Sequence, residues 1–296
     1  MNSSSVDFAA SGALVSVYIP TKNRKGLLAL AVRSVLAQTW RNVEVLVVDD
    51  GSTDSTADLM RELCATDSRV RFFQNDSSRG ACAARNQAIR ESRGQFVTGL
   101  DDDDEFLPHH IQGLVGYWHL LESLKVDASC IFVPNLQRNG ATLTAAFKRG
   151  GVSAVDLFQA NHVGNQVFAP RERYFEAGLF DECMPAWQDL EFFFRMLEKF
   201  GPAKMLDVPS YVFDCSPRTD RISNQQRARI FQACNRMYSK HGHGDPRILQ
   251  QLLLQVYSPY YGFGVGVKDL WQFMKVGFWP RGWIQMVAYF WGSKVR

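Results

Sequence analysis

The sequence predicts an α/β protein with a mostly parallel, doubly wound sheet, helices on both faces and a helical C-terminal extension. Between residues 14 and 125, short apolar runs rich in β-branched residues alternate with stretches of helical periodicity. The runs are almost continuously apolar, as in parallel strands buried on both faces. Two of them lead directly into aspartate clusters. A chain of 296 residues is long enough to bury such a core.

Strands and helices alternate along the first half of the chain. Strands are predicted over 14–19, 43–48, 70–74 and 96–100, each rich in β-branched or aromatic residues. Apolar residues at helical spacing predict helices over 25–38, 53–64 and 81–92. We expect Pro20 to end the first strand, because proline has no amide hydrogen. Ligands bind at the carboxyl ends of such strands, so the residues that follow them are candidate site residues.

The remainder of the chain is less regular. A helix is predicted over 107–124, a strand over 128–133 and a helix over 185–200, which Gly201 and Pro202 stop. Beyond residue 225 the pattern is helical and basic. We therefore predict a domain over 1–225 and a helical extension over 226–296.

The strongest single feature is the run of four aspartates and one glutamate at 101–105. Carboxylates so close together repel one another unless a cation is present. A hard divalent ion such as Mg²⁺ or Mn²⁺, bound also to substrate phosphates, would relieve this repulsion. The alternative is a solvated acidic turn, or a cap for the helix that follows Pro108.

Two further clusters follow strands. Asp49 and Asp50 offer carboxylates to a nucleobase or ribose, and Gly51 permits close backbone approach. The alternative is ordinary turn chemistry, which the same residue types favour. The segment 20–24 (PTKNR), with Arg85 further on, would place positive charge near a diphosphate, although each arginine alone is more simply a surface charge.

The order of these motifs resembles the family 2 glycosyltransferases. A strand ending in PTxNR, a strand ending in VDDGSTD, an arginine-bearing helix start and a strand ending in LDxDD follow one another as in that family. The resemblance implies a GT-A fold, which is Rossmann-like, a nucleotide-sugar donor, a divalent metal and inversion at the anomeric carbon. It covers residues 14–125 well and extends more thinly to 225.

The resemblance also implies roles for individual residues. Asp101 and Asp103 correspond to the acids of the DxD motif, with Asp103 preferred for the metal, and Asp102 takes the variable position. Because Asp104 is another acid, the register stays ambiguous by one residue. The residues implied in nucleotide-sugar binding are Pro20, Thr21, Arg24, Asp49, Asp50, Arg85, Asp101, Asp102 and Arg221, the last in a segment that covers the donor in relatives.

A catalytic base is also needed, because an acceptor hydroxyl must lose its proton as the new bond forms. The family places this base in an acidic pair at a helix start, and the similar stretch WQDLEFFFR points to Asp189. Gln188 departs from the family, which usually has Glu there. The alternative is that Asp189 caps the helix. For Glu191 we interpret the i,i+4 spacing as an ion pair with Arg195.

Two short segments receive weaker interpretations. Residues 164–166 (GNQ), which precede the strand-like stretch 167–169, are candidates for lining the acceptor pocket, although an Asn/Gln turn is more often structural. His109 and His110 follow the acidic run directly. A histidine there is usually structural, but in some relatives a nearby histidine helps to bind the metal, so both interpretations stay open.

The formal net charge of +3 conceals an asymmetry. Residues 1–200 hold 20 Lys and Arg against 25 Asp and Glu, whereas residues 201–296 hold 13 against 5. Four of the seven tryptophans lie beyond residue 270. Basic and aromatic residues together suit the boundary of an anionic membrane, and Gly277, Pro280 and Gly282 predict two short helices there. The alternatives are packing on the main domain or a homodimer interface. No nucleic-acid module is evident.

No apolar segment approaches the roughly 18 residues that span a bilayer. The N-terminal stretch lacks basic residues before its apolar part and contains Asp7, so it is a poor secretory signal. The six cysteines contain no CxxC pair, which favours reduced thiols over a zinc ribbon or disulfides. We therefore expect a cytoplasmic protein that associates peripherally with the inner face of a membrane.

These observations together predict a metal-dependent, inverting glycosyltransferase. The expected donor is a UDP- or dTDP-sugar, and the expected acceptor is a hydroxyl of a glycan or lipid-linked glycan in bacterial cell-surface polysaccharide or lipopolysaccharide synthesis. Two alternatives stay open. One is a sugar nucleotidyltransferase, against which the lack of glycine before Gly26 in the first loop counts. The other is a non-catalytic protein that binds nucleotide sugars.

Overall fold

The computed structural model describes residues 12–145, 149–215 and 227–292. The strands are β1 (Val15–Thr21), β2 (Val43–Asp49), β3 (Val70–Gln74), β4 (Phe96–Gly99), β5 (Glu105–Phe106), β6 (Ile131–Phe132), β7 (Asn135–Asn139), β8 (Thr142–Ala145), β9 (Gly151–Val152), β10 (Phe168–Pro170), β11 (Ala203–Met205) and β12 (Tyr211–Asp214). The helices are α1 (Lys25–Leu36), α2 (Thr56–Thr66), α3 (Ala81–Glu91), α4 (His110–Ser123), α5 (Arg171–Glu176), α6 (Gln188–Phe200), α7 (Arg227–His241), α8 (Pro246–Val256), α9 (Val267–Val276) and α10 (Pro280–Gly292), with a 3₁₀ turn at Ala154–Phe158.

Eight strands form the main sheet, in the order β3-β2-β1-β4-β10-β6-β11-β9. The first four pair in parallel, as the alternation of strands and helices predicts. Strand β10 then runs antiparallel to both β4 and β6. A second sheet has the order β5-β12-β7-β8. The predicted class, a mostly parallel α/β sheet flanked by helices, is confirmed.

The register of the parallel strands brings their carboxyl ends to one edge of the sheet. Thr21, the last residue of β1, lies opposite Asp49, the last residue of β2. On the other side of β1, Tyr18 lies opposite Gly99, the last residue of β4. The three predicted ligand-binding segments that follow β1, β2 and β4 therefore begin at the same edge.

The first strand runs through Pro20 to Thr21, so the expectation that Pro20 ends it is wrong. The carbonyl of Tyr18 accepts a hydrogen bond from Leu100 on the β4 side, and backbone groups two residues apart in a strand point the same way. An amide hydrogen at position 20 would therefore point toward β4, at a position beyond the last residue pair between β1 and β4. No ladder hydrogen bond is lost, and pairing with β2 continues.

The main core lies between the parallel strands and the helices that cover them. Strand β2 is buried along its whole length. Aliphatic side chains dominate, in agreement with the nearly continuous apolar runs of the sequence. Central members of this core are Val15, Val17, Ile19, Leu28, Val32, Val45, Val47, Ile111 and Trp118.

The chain divides into two compact units, which we describe separately. Of the described residues, unit 1 takes those within Met1–Ser153, Val163–Glu182 and Arg195–Ser216, and unit 2 takes those within Ala154–His162, Cys183–Phe194 and Pro217–Arg296. Unit 2 thus includes the C-terminal helices together with two earlier segments. The domain boundary near residue 225 stays a prediction.

Helices α8, α9 and α10 in unit 2 have a small core of their own, formed by Leu254, Tyr257, Val265, Phe273 and Met286. The two short helices predicted near the C-terminus are present as α9 and α10. Their tryptophans divide into two kinds: Trp279 and Trp283 pack against this core, whereas Trp271 and Trp291 are exposed. Among the described residues, no helix combines the length and apolar character needed to cross a bilayer.

Candidate active site

The loop after β1 contacts the acidic run directly. The hydroxyl of Thr21 donates to Oδ2 of Asp102 at 2.7 Å, and Nη1 of Arg24 lies 2.8 Å from Oδ1 of the same carboxylate. Arg24 also lies 3.6 Å from Oδ2 of Asp103. Thr21 and Asp102 are buried. The first predicted nucleotide loop and the predicted metal motif therefore form one cluster.

The four aspartates form a β-turn in which the amide of Asp104 donates to the carbonyl of Asp101 at 3.0 Å. This turn divides the carboxylates into two pairs. Asp101 and Asp103 keep 23% and 16% of their side-chain surface exposed. Asp102 and Asp104 are buried. Of these four side chains, Asp101 and Asp103 therefore keep the larger contact with solvent, and the register of the DxD motif stays a prediction.

The buried pair is held by the protein itself. Burial raises the pKa of Asp102 to about 6, although Arg24 and Thr21 partly offset this. Asp104 accepts hydrogen bonds from the Tyr211 hydroxyl at 2.7 Å and from the amide of Asp214 at 3.0 Å. Burial, and then the charges of Asp101 and Asp103, hold the pKa of Asp104 well above its usual value.

Arg85 lies in the first turns of α3 and is buried. Its Nη2 lies 3.3 Å from Oδ1 of Asp101, and its guanidinium stacks over the ring of Phe180 at 5.4 Å. A buried arginine in this position is not a simple surface charge. It places positive charge beside one of the two exposed carboxylates.

The loop after β2 uses its two aspartates differently. Both oxygens of Asp50 accept hydrogen bonds from the 78–80 loop: the Ser78 hydroxyl at 2.6 Å, the Arg79 amide at 2.7 Å and the Gly80 amide at 2.9 Å. Burial opposes ionisation of Asp50, but these hydrogen bonds outweigh it and lower its pKa. Asp50 therefore fixes the position of the 78–80 loop.

Asp49 is fully buried, and its Oδ1 accepts the amide of Ser52 at 2.8 Å. Its Oδ2 is also buried and accepts no hydrogen bond from any residue that the structure describes. Gly51 follows with φ of 77°, and a Cβ there would lie 3.0 Å from the backbone of Ser77 and Ser78. Only glycine suits this turn. The buried Oδ2 of Asp49 keeps the capacity to accept a hydrogen bond from a ligand.

The two histidines after the acidic run have different environments. His110 is buried, stacks on Phe106 with ring centroids 3.9 Å apart, and its Nδ1 lies 2.9 Å from the Ser210 hydroxyl. Burial lowers its pKa to about 3. His109 is exposed, with Nδ1 3.2 Å from the Thr39 hydroxyl. These contacts favour the structural interpretation for His110.

Gln166 contacts the acidic run rather than standing alone in a turn. Its Nε2 donates to Oδ1 of Asp101 at 3.0 Å, and its Oε1 accepts the Tyr18 hydroxyl at 2.8 Å. Whether it also lines an acceptor pocket stays a prediction.

Among the described residues, no group of three or more His, Cys, Asp or Glu side chains is arranged to hold a metal.

Asp189 belongs to unit 2 and lies in the first turn of α6, half-buried. Trp187, just before the helix, has a left-handed φ of 57°, and its indole donates to the Tyr261 hydroxyl at 2.7 Å. Glu191, fully buried, forms an ion pair with Lys240, and its Oε1 lies 3.2 Å from Nε2 of His241. Arg195 donates to the backbone carbonyls of Ala177 and Leu179.

Sequence comparison decides the family. Residues 16–138 match the family model described as "Glycosyl transferase family 2". Over 234 residues the chain is 31% identical to the putative colanic acid biosynthesis glycosyl transferase WcaA of Escherichia coli strain K12, and the alignment covers 77% of this chain and 81% of that relative. The chain belongs to glycosyl transferase family 2.

A second relative of this glycosyltransferase is WfaP of Escherichia coli, named a UDP-Glc:alpha-D-GlcNAc-diphosphoundecaprenol beta-1,3-glucosyltransferase. The two are 35% identical over 113 residues, which cover 38% of this chain and 43% of that relative. Among solved structures, S. aureus TarS 1-349 in complex with UDP-GlcNAc superposes with a TM-score of 0.64 at 17% identity, over 94% of this chain and 81% of that one. At this identity the likeness shows the fold alone, and the GT-A fold is confirmed.

Two residues that contact the candidate site of this glycosyltransferase carried no signal in the sequence. Tyr211 bonds to Asp104 across a separation of 107 residues, and Tyr18 bonds to Gln166 across 148. Both occur in apolar strand segments, where a tyrosine looks like an ordinary core residue. Arg221, predicted to reach the diphosphate, lies outside the described residues.

Proposed function

We propose that this glycosyltransferase moves a sugar from a UDP- or dTDP-sugar to a hydroxyl of a glycan or lipid-linked acceptor, with a divalent metal and with inversion at the anomeric carbon. The observation that carries the proposal is the division of the turn 101–104. Asp101 and Asp103 are partly exposed, and Arg85 and Arg24 lie beside them. Carboxylates flanked by arginines at the carboxyl edge of a parallel sheet suit a metal-bound diphosphate.

The exposed pair fits Mn²⁺ or Mg²⁺. Both ions prefer oxygen ligands, and Mg²⁺ is usually held by one or two carboxylates together with substrate phosphates and waters. Two carboxylates match that requirement, and no group of three or more His, Cys, Asp or Glu side chains is arranged to hold an ion within residues 12–145, 149–215 and 227–292. Asp103 and Asp101 would hold the ion, which when bound would neutralise charge on the departing nucleoside diphosphate.

The nucleotide would occupy the edge formed by the β1 and β2 loops. Oδ2 of Asp49 is the atom best suited to accept a hydrogen bond from the base, because it is buried and accepts none from the described residues. Pro20, Thr21 and Asp102 would shape the floor of this pocket, and Asp50 would fix the loop beside it. Arg85, and Arg221 by resemblance, would contact the diphosphate.

Asp189 is proposed as the catalytic base. Its carboxylate would accept the proton of the acceptor hydroxyl as that oxygen bonds to the anomeric carbon, while the bond to the diphosphate breaks on the opposite face. Two observations support this role: its position in the first turn of α6 and the resemblance of the segment to the family's acidic pair. The product is one glycoside with inverted configuration and one nucleoside diphosphate.

The metal and donor are tested by thermal shift with a panel of nucleotide sugars, with and without Mn²⁺. A ligand that binds only the folded state raises the melting temperature, so the cognate donor should shift it more when Mn²⁺ is present. Asp103→Asn should abolish the Mn²⁺-dependent part. Glu105→Gln, which removes a charge from the same run, should keep it. A wild-type protein whose donor binding is indifferent to Mn²⁺ would refute the metal assignment.

The base is tested separately with Asp189→Asn. General-base catalysis contributes roughly 10²- to 10⁴-fold, so we expect kcat to fall by at least about 100-fold while donor binding is preserved. Glu198→Gln, an exposed acid on the same helix, should leave kcat unchanged. Full turnover by Asp189→Asn would show that another group takes the proton.

We also propose that the acceptor is held at the cytoplasmic face of an anionic membrane and that unit 2 contacts this surface. Large exposed apolar side chains concentrate near its C-terminus: Tyr260, Val267, Trp271, Phe278, Ile284 and Trp291. Lys275 lies 3.5 Å from the ring centre of Trp271. Aromatic residues beside lysine suit the headgroup boundary. The name of WfaP, which includes a diphosphoundecaprenol acceptor, supports a lipid-linked substrate.

Flotation with liposomes that contain anionic lipid tests this surface. The double variant Trp271→Ser/Phe278→Ser should float less than the wild type, whereas Leu124→Ser, an equally exposed apolar residue of unit 1, should float like it. Light scattering tests the alternative, in which a second copy of the chain covers this surface. A dimer that dissociates in the double variant, with no flotation of the wild type, would identify a second copy of the chain in place of a membrane.

A further inference from the structure

Gln166 forms a bridge between a buried tyrosine and the carboxylate of Asp101. The Tyr18 hydroxyl donates to Oε1 of Gln166 at 2.8 Å, and Nε2 of Gln166 donates to Oδ1 of Asp101 at 3.0 Å. Tyr18 is 1% exposed and packs edge-on against Tyr174 and Phe180, so its hydroxyl is fixed by the core. The bridge therefore joins a rigid anchor to an exposed acid.

The polarity of this bridge determines which atom of the amide faces the acid. A phenol donates to the amide oxygen, so the amide nitrogen is the group that faces Asp101. A glutamate at position 166 would instead bring a second carboxylate to Asp101. The amide of glutamine accepts from Tyr18 and donates to Asp101 without adding a charge.

The backbone is built to admit this bridge. Strand β10 pairs antiparallel with β4, so that Phe168 lies opposite Thr98 and brings Gln166 to the carboxyl end of β4. Gly99 lies under the bridge, and a Cβ there would overlap both Oε1 of Gln166 and the ring of Tyr18. Glycine at this position leaves the space that the two side chains occupy.

The two carboxylate oxygens of Asp101 consequently differ. Oδ1 receives both Gln166 and, at 3.3 Å, Nη2 of Arg85. Oδ2 receives no hydrogen bond from the described part of the chain, and the side chain is 23% exposed. Two donors on one oxygen fix the rotation of the carboxylate and present the other oxygen to a ligand.

We infer that Gln166 is a positioning residue for the metal–diphosphate site: held by Tyr18, it orients Asp101 so that Oδ2 is presented to the cation. This inference rests on the proposed function, in which Asp101 and Asp103 hold the ion. It gives Gln166 a part in donor binding, whereas its neighbourhood in the sequence suggested the acceptor pocket. Gln166 acts through Asp101 and touches no reacting atom.

The test is direct binding of Mn²⁺ in the presence of UDP and, separately, of dTDP, with free Mn²⁺ measured by electron paramagnetic resonance. Loss of a residue that orients a metal ligand typically costs 10- to 100-fold in metal affinity. Gln166→Met, which keeps the length of the side chain but cannot bridge, should raise the Mn²⁺ dissociation constant by at least about 10-fold. Tyr18→Phe, which removes only the anchoring hydroxyl, should raise it in the same direction by less.

A matched control separates positioning from loss of stability. Gln250 is a buried glutamine of unit 2 whose amide donates to the carbonyls of Phe273 and Gly277, so Gln250→Met also removes buried hydrogen bonds. It should lower the melting temperature yet leave Mn²⁺ affinity unchanged. Wild-type affinity in both Gln166→Met and Tyr18→Phe would overturn the inference while the proposed function stands. Absence of Mn²⁺ binding by the wild type with both UDP and dTDP would overturn both.

Discussion

At the scale of the residue, the acidic turn shows how position changes the chemistry of one side-chain type. Asp102 and Asp104 are buried, and both have a raised pKa. Each is nevertheless hydrogen-bonded, because an unsatisfied buried carboxylate is costly. Asp101 and Asp103 keep contact with solvent. We therefore expect substitution of Asp102 or Asp104 to change mainly stability, and substitution of Asp101 or Asp103 to change mainly ligand binding.

Thr21 offers a test of the buried pair. Thr21→Val keeps the shape of the side chain but removes the hydroxyl that donates to Oδ2 of Asp102 at 2.7 Å. We expect the free energy of unfolding to fall by about 1–3 kcal/mol, because a buried acceptor loses its partner. We also expect the pKa of Asp102 to rise above its value of about 6, since the charged form loses a donor.

Urea unfolding and an NMR titration of the Asp102 carboxyl carbon measure these two effects. Thr21→Ser retains the hydroxyl and serves as the control, which should keep most of the stability and the pKa of the wild type. If valine and serine behave alike in both measurements, the hydrogen bond contributes nothing.

At the scale of the element, helix α6 shows where local pattern stops being informative. Its periodicity predicts a helix over 185–200, and the structure has Gln188–Phe200. The spacing of Glu191 and Arg195 suggests a local pair, but the partners of Glu191 in unit 2 include Lys240 and His241 of α7. Those residues lie about fifty positions away, and no local rule relates them to Glu191.

Removal of the buried charge of Glu191 should weaken the packing of α6 on α7. Deletion of one member of a buried ion pair leaves the other uncompensated and typically costs about 3–5 kcal/mol. We expect Glu191→Gln to lose roughly 3 kcal/mol in chemical denaturation, because the amide still fills the space. Glu198→Gln, an exposed acid of the same helix, should stay within about 0.5 kcal/mol of the wild type. A loss equal to that control would contradict a stabilising ion pair.

The strands of the main sheet were predictable for a physical reason. A parallel strand buried on both faces must be apolar along its length, so β1 to β4 appear as compact runs in the sequence. The short strands β9 and β11 did not, because two or three residues carry too little pattern, whereas β10 overlaps the strand-like stretch 167–169. The edge of the site could therefore be predicted from the residues after β1, β2 and β4. The bridge through Gln166 could not be predicted, because it depends on the antiparallel pairing of β10 with β4, which a short strand-like stretch does not specify.

At the scale of the whole molecule, pH acts on stability through buried titratable groups as well as through net charge. His110 is buried beside Phe106 and Ser210, and burial lowers its pKa to about 3 from 6.5. Its neutral form is the one that the fold accommodates. The unfolded chain therefore binds a proton below pH 6.5 that the folded chain does not bind until about pH 3.

The consequence is a loss of stability as the pH falls through that window. Relative to His110→Asn, the wild type should lose about 2 kcal/mol of unfolding free energy between pH 7 and pH 5, at about 1.4 kcal/mol per pH unit below 6.5. Denaturant unfolding of both proteins at several pH values measures this difference, which does not depend on the absolute stability of the variant. Parallel pH profiles for the two proteins would contradict the buried neutral histidine.

The acidic turn also constrains which sequence changes the protein can tolerate. Four identical residues in a row look interchangeable, and by composition alone one aspartate more or fewer would seem harmless. The turn contains just four residues between Leu100 and Glu105. The position of each aspartate in the turn determines whether its carboxylate is buried or partly exposed. Gain or loss of one aspartate would exchange inward and outward acids while the composition barely changed. Selection should therefore tolerate replacement at some of these positions far more readily than any change in their number.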